Sequence, residues 1–178
     1  LKRAFTKSVV EGLIFAHSDP ITADSLRRLI PEVSGKDLQE ILDELETEYR
    51  ERSRGFLLVE VGGGYQFRTL PEVAPWILTM KSVKPARLSR ASLETLSIIA
   101  YNQPMTKSAI ERIRGVEASS SIKNLLERDL IAVTGKLDAP GRPLLYGTSE
   151  RFLEVFGLKS LFDLPPLPDP EVIGDDAV

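Results

Sequence analysis

Cysteine is absent from the 178 residues, which excludes disulfides and thiolate metal sites. Histidine occurs once, at His17, so there is neither a histidine-rich metal motif nor a cysteine nucleophile. A phosphate loop is missing too: Gly62-Gly63-Gly64 is followed neither by Gly-Lys-Ser/Thr nor by a helical pattern. No apolar run approaches the ~18 residues needed to cross a bilayer. The start of the chain, LKRAFTKSVVEGLIFAH, is interrupted by Lys7, Ser8 and Glu11 and reads as an amphipathic helix, not a signal peptide. Basic excess is lacking as well, with 23 Lys and Arg against 26 Asp and Glu and a net charge of −3. These absences point away from enzymes with a recognisable motif, from bound cofactors and metals, and from membranes. Freedom from cysteine is compatible with a reducing cytoplasmic setting.

What is present is a repeat. Shifting the chain by 84 residues lays Pro20 on Pro104 and Thr22 on Thr106, with apolar positions following: Ile14 on Ile98, Leu26 on Ile110, Ile41 on Leu125. The same shift sets His17 opposite Tyr101, so the matching position needs no imidazole and His17 reads as structural. Each copy begins with a helix that Pro20 or Pro104 ends. Thr22 or Thr106 then caps a second helix. In the first copy Ser34-Gly35-Lys36-Asp37 resembles a capping box ahead of a third helix, whose buried stripe is Leu38, Ile41, Leu42 and Leu45.

The apolar period then changes from helical to two, and FLLVEVGGGYQFRT reads as a β-hairpin. With Gly62-Gly63-Gly64 as the loop, Val61 faces Tyr65, Glu60 faces Gln66 and Val59 faces Phe67. On that register Leu57, Val59, Val61, Tyr65 and Phe67 share a face, and Leu58 lies opposite with Glu60. PEVAPWILTM adds a short helix with Trp76 packing on the domain. The second copy has helices at 90–102, 106–114 and 119–130, a strand at 130–133, the loop GKLDAPGRP, a return strand LLYGTS and a helix at 149–156. The expected fold is α+β, mainly α: two tandem winged-helix (helix-turn-helix) domains with β-hairpin wings. The expected divisions are 1–80 for the first domain, 81–88 for a basic linker, 89–164 for the second domain and 165–178 for a disordered acidic, proline-rich tail.

Helix-turn-helix architecture raises DNA binding, which requires positive charge at the groove. The third helix of the first copy, SGKDLQEILDELETEYRER, has Lys36 as its only basic residue before Arg50, against Asp37, Glu40, Asp43, Glu44, Glu46 and Glu48. In SSSIKNLLERDL, Lys123 and Arg128 are cancelled by Glu127 and Asp129. Arg112 and Arg114 stay candidates for a nucleic-acid contact. The segment KSVKPARLSRAS carries 4 basic and no acidic residues. It reads either as a solvated connector or as a weak contact to nucleic acid or to an acidic partner.

The stretches IIAYNQPMTKSAIERIRGV, GRPLLYGTS and FLEVFGLKSLFDLP resemble the bacterial segregation and condensation protein B (ScpB) family, and the likeness runs to about Pro168. The resemblance implies a non-enzymatic homodimer that binds the kleisin ScpA and, through it, the SMC ATPase. It further implies a cytoplasmic, nucleoid-associated role in chromosome condensation and segregation during cell division. A DNA-binding regulator with tandem winged helices is the alternative. Candidate partner-binding residues are Leu58, on the face away from the core, Trp76, and Arg142, Leu144, Leu145 and Tyr146 of the second wing, where an exposed Tyr beside an Arg suits an interface. Phe152, Phe156 and Phe162 are assigned to the core.

Overall fold

The structure is a computed structural model and describes residues 2–52, 54–81 and 87–167. Most of the expected linker and the tail from Pro168 onward lie outside the described residues.

The first unit opens with α1 (Arg3–Ala16), α2 (Ala23–Leu29) and α3 (Gly35–Glu51). Thr22 caps α2 by accepting from the Ser25 amide at 3.1 Å, and Ser34 caps α3 by accepting from the Asp37 amide at 3.1 Å. Leu38, Ile41, Leu42 and Leu45 of α3 are buried against Val10 and Ile14 of α1 and Leu26 of α2. Leu29 of α2 is exposed. The wing follows as β1 (Phe56–Val61) and β2 (Gly64–Thr69), and then a 3-10 turn at Pro71–Val73 leads into α4 (Ala74–Lys81).

The second unit repeats the plan with α5 (Arg90–Asn102), β3 (Met105–Thr106), α6 (Lys107–Arg114) and α7 (Ser119–Glu127). Its wing is β4 (Ile131–Lys136) and β5 (Leu144–Thr148), followed by α8 (Glu150–Phe156) and a 3-10 turn at Leu161–Asp163. Thr106 caps α6 through the Ala109 amide at 3.3 Å, as Thr22 caps α2. Ile99, Ile110, Leu125 and Ile131 centre a second, separate core. Both turns also join their wings in the same manner. Met105 pairs with Tyr146 in a sheet of order β3-β5-β4, and Ile21 pairs with Tyr65 through two backbone hydrogen bonds of 3.0 and 2.9 Å. Three helices and a hairpin in each unit, with the segment between the first two helices bonded to the return strand, make two winged-helix domains.

The first hairpin has a different register from the expected one. Its loop is Gly62-Gly63, and the pairs are Val61 with Gly64, Glu60 with Tyr65 and Leu58 with Phe67. Both loop glycines have positive φ, 57° and 72°, as a two-residue type I′ turn demands. Gly64 therefore belongs to the strand. The one-residue slip exchanges the faces: Phe56, Leu58, Tyr65 and Phe67 pack on the first core, and Leu58 is only 2% exposed. Leu58 is thus a core residue and not an interface residue.

An ion network fastens α1 to α3. Arg3 reaches Glu40 at 3.2 Å and Glu44 at 2.5 Å, and Lys7 bonds Glu44 at 3.4 Å and also Glu48. The hydrogen bond from Arg3 holds the Glu44 carboxyl below the usual range, and the bond from Lys7 does the same for Glu48. A carboxyl lowered in the folded state stabilises above its unfolded value, and that contribution is lost as pH falls through the folded one. The double variant Glu44→Gln/Glu48→Gln is expected to unfold at lower urea than the parent at neutral pH. The gap should close below the ordinary carboxylate range. These groups are exposed, so the gap is small; a gap that persists unchanged at acid pH would contradict the assignment.

Candidate protein-binding surfaces

The helix α4 carries the sequence APWILTMK, in which no polar stripe separates an inner from an outer face. None of residues 74–80 is buried, and the helix's main neighbour is the 3-10 turn before it. Trp76 is 72% exposed, Met80 75%, and Leu78 is exposed beside them. The expectation that Trp76 packs on its own domain is therefore not met. A helix apolar all round is normally buried, and covering Leu or Met side chains is worth about 1.5–3 kcal/mol each. The helix has the composition of an element that finishes its packing on another chain.

The end of the second unit is similar. Phe152 is buried, as expected of a core residue. Phe156 is exposed and Phe162 is 99% exposed, so neither is core. With Val155 and Leu161 they form an uncovered apolar strip along α8 and the turn after it. The chain pattern explains the misplacement. Phe162 sits in a 3-10 turn that Ser160 and Asp163 cap with their own side chains, so local bonds hold the turn and the ring is not needed inside.

The second wing shows part of the expected patch. Arg142 is exposed at a turn and Leu144 is exposed on β5, near Val133 and Leu137. Leu145 is half-buried, and Tyr146 is half-buried against the second core, where it pairs with Met105 and Val133. Tyr146 is a packing residue rather than an exposed ring.

The first wing is occupied inside the chain. The Gly62 and Gly63 amides donate to the Leu158 and Lys159 carbonyls at 2.9 and 3.2 Å. Lys159 pairs with Glu60 at 2.8 Å, and Arg68 donates to the Glu154 carbonyl at 2.6 Å. Backbone amides at a glycine tip can approach another main chain closely because no side chain intervenes. The wing tip thus docks on the segment after α8, while α4 stays uncovered.

The two arginines proposed for nucleic acid differ. Arg112 is exposed. The Arg114 side chain is 5% exposed and is committed to Glu94 at 3.4 Å and to the Glu117 carbonyl at 3.2 Å. Arg114 is therefore structural and is not free to contact nucleic acid. Acidic residues crowd α3, where Glu40, Asp43, Glu44 and Glu48 flank an open groove with Arg3. His17 is exposed, and its Nδ1 donates to the Asp19 carbonyl at 2.7 Å, a local turn contact. Among the described residues no cluster of three or more His, Cys, Asp or Glu is placed to hold a metal, and no helix is long and apolar enough to cross a membrane.

The residues missed by sequence reasoning are Met80, Leu78, Val155 and Phe162. For α4 a signal existed in the lack of any charged residue between Ala74 and Met80. For Phe162 none did, because an aromatic in a short apolar run looks the same whether it packs inward or outward.

Two winged-helix units, with apolar side chains uncovered on α4 and at the end of the second unit and an acidic third helix in the first, define a tandem winged-helix protein. The comparisons agree with a particular one. The family model described as segregation and condensation complex subunit ScpB matches residues 8–167. Segregation and condensation protein B of Syntrophotalea carbinolica is 50% identical over 161 residues, which covers 90% of this chain and 81% of that protein. The protein of the same name from Desulforamulus reducens is 46% identical over 175 residues, covering 98% and 96%. A crystal structure of a dimer of the ScpB N-terminal domain complexed with an ScpA peptide is 32% identical, covering 42% of this chain and 91% of that one, with a TM-score of 0.39. The chain belongs to the ScpB family.

Proposed function

We propose that the chain is a non-enzymatic scaffold subunit of the bacterial condensin-like SMC–kleisin complex, acting in the cytoplasm at the nucleoid in chromosome condensation and segregation. It forms a homodimer, binds the kleisin ScpA and reaches the SMC ATPase through it. The observation that carries this reading is the uncovered α4, with Trp76, Leu78 and Met80 exposed on a chain of this family. Helix α4 supplies the self-association surface. The apolar strip of Val155, Phe156 and Phe162, together with Leu144 and Arg142 of the second wing, faces the kleisin.

The remaining surface supports a protein partner better than DNA. An α3 bearing exposed Glu40, Asp43 and Glu44 repels phosphates where a reading helix must attract them. A gel shift of this chain alone is expected to be weak, and tight binding that falls steeply with salt would favour a DNA-binding regulator.

Light scattering of the purified chain is expected to give the mass of a dimer, and Trp76→Ala/Met80→Ala the mass of a monomer. The double variant should keep its helical circular dichroism, because neither side chain is in a core. A monomeric parent chain would refute the dimer. In a pull-down, the parent is expected to retain ScpA at micromolar concentration and Phe162→Asp to lose it. No retention by the parent would refute the scaffold reading.

A further inference from the structure

We propose that the contact between the first wing and the end of α8 is a salt-sensitive clasp, at which the two units separate while each stays folded. This does not depend on the kleisin reading. The two hydrophobic cores share no buried residue, so neither unit needs the contact to hold its own fold. The bonds across it are polar. The Gly62 and Gly63 amides donate to the Leu158 and Lys159 carbonyls at 2.9 and 3.2 Å. The Lys159 ammonium pairs with Glu60 at 2.8 Å. Arg68 donates to the Glu154 carbonyl at 2.6 Å and lies 3.8 Å from its carboxylate, to which the Gln66 side chain donates at 3.5 Å. An ion pair at the surface, like Lys159 with Glu60, contributes little and is screened by salt.

Both halves of the clasp are preformed. On the wing, Gly62 and Gly63 hold the positive φ of the two-residue loop, which leaves their amides outside the strand ladder. On the other side, Gly157 ends α8 with a φ of 69°, and the Leu158 amide turns back to the Leu153 carbonyl at 2.9 Å. The Leu158 side chain packs on the second core. The two carbonyls that accept from the wing are therefore set by their own unit, whether or not the wing is docked. Opening the clasp breaks a few polar bonds, which water largely replaces. A docked wing fixes where α4 lies relative to the apolar strip on α8, and an undocked wing frees the two surfaces to move apart. Ionic strength, or a partner that favours one arrangement, thereby selects the span between them.

The full chain would be labelled with nitrogen-15, and exchange of its backbone amides with water followed by nuclear magnetic resonance at rising sodium chloride. At low salt the Gly62 and Gly63 amides are expected to exchange several times more slowly than that of Gly141, at the exposed turn of the second wing. At about 1 M salt, where the screening length is about 3 Å, their rates should approach that of Gly141. The Leu42 and Leu125 amides, in the two cores, should stay protected throughout, because the opening is local. Lys159→Ala should speed Gly62 and Gly63 about threefold at low salt, the scale of a surface ion pair. Arg68→Ala/Lys159→Ala should raise them to the Gly141 rate. Small-angle scattering of that double variant at low salt should give the radius of gyration that the parent reaches at high salt. Rates at Gly62 and Gly63 that match Gly141 at every salt, or that ignore either salt or Lys159→Ala, would overturn the clasp. So would a rise shared with Leu42 or Leu125, which would make the event the unfolding of a unit.

Discussion

Leu58→Asp is expected to unfold the first winged-helix unit and leave the second folded. Leu58 is 2% exposed and packs with Tyr65, Leu45 and the rest of the first core. Truncating such a side chain costs about 2–5 kcal/mol. A carboxylate there would also be buried without a partner, which adds several kcal/mol or forces the group to stay protonated. A total above about 5 kcal/mol takes most of the stability of a small domain. Urea titration followed by circular dichroism should show half of the helical signal lost before any denaturant is added. The second core, centred on Ile99, Ile110 and Leu125, shares no buried residue with the first. Leu57→Asp is the control: Leu57 is half-buried on the other face of β1 and should cost far less. The two registers predict opposite outcomes. On the three-glycine loop Leu58 faces outward and Leu57 inward, so a tolerated Leu58→Asp with a damaging Leu57→Asp would refute the hairpin described above.

That hairpin shows what the sequence could and could not disclose. Helix positions, both threonine caps and the 84-residue repeat were legible because their signals are local: a proline, a hydroxyl three residues before an amide, an apolar stripe every three or four residues. The strand FLLVEV is apolar at both parities, with Phe56 and Leu58 on one face and Leu57, Val59 and Val61 on the other. Alternation therefore cannot choose the face. The three successive glycines allow either loop length, so the turn cannot choose either. Only packing decides, through the Tyr49, Phe56 and Phe67 rings that meet at 4.8 to 5.7 Å. Arg114 failed for the same reason in another form. Its partner Glu94 is on α5, twenty residues earlier, and nothing in the local sequence announces that pairing. Of the candidate partner-binding residues, Trp76, Arg142 and Leu144 are exposed, whereas the outward direction of Phe162 was illegible because a 3-10 turn sets it.

Gly64→Ala is expected to lower stability by about 2–3 kcal/mol, a typical cost of overpacking, with the effect confined to the first unit. Gly64 has no positive φ to protect; what it protects is space. A Cβ built there would lie 2.9 Å from the carbonyl carbons of both Pro20 and Ile21, and 3.0 Å from the Ile21 oxygen. Those are backbone atoms, and Ile21 is held by two hydrogen bonds to Tyr65, the residue after Gly64. The main chain can yield only by loosening the pairing that joins the helix turn to the wing. Gly12→Ala makes the comparison, because a Cβ at that exposed position of α1 meets nothing within 4 Å. It should stabilise by about 0.5–1 kcal/mol through helix propensity alone. The two glycine-to-alanine changes thus have opposite signs for separable reasons, and urea midpoints measure both. Because Ile21 follows Pro20, the same experiment tests the repeat. Pro20 and Pro104 each hand the chain to a short extended segment that the wing's return strand must reach, and in the first copy that reach depends on the absence of a side chain at residue 64. A neutral Gly64→Ala would mean that the turn and wing are not in contact there. The first unit would then lack the feature that makes it a winged helix rather than three helices beside a free hairpin.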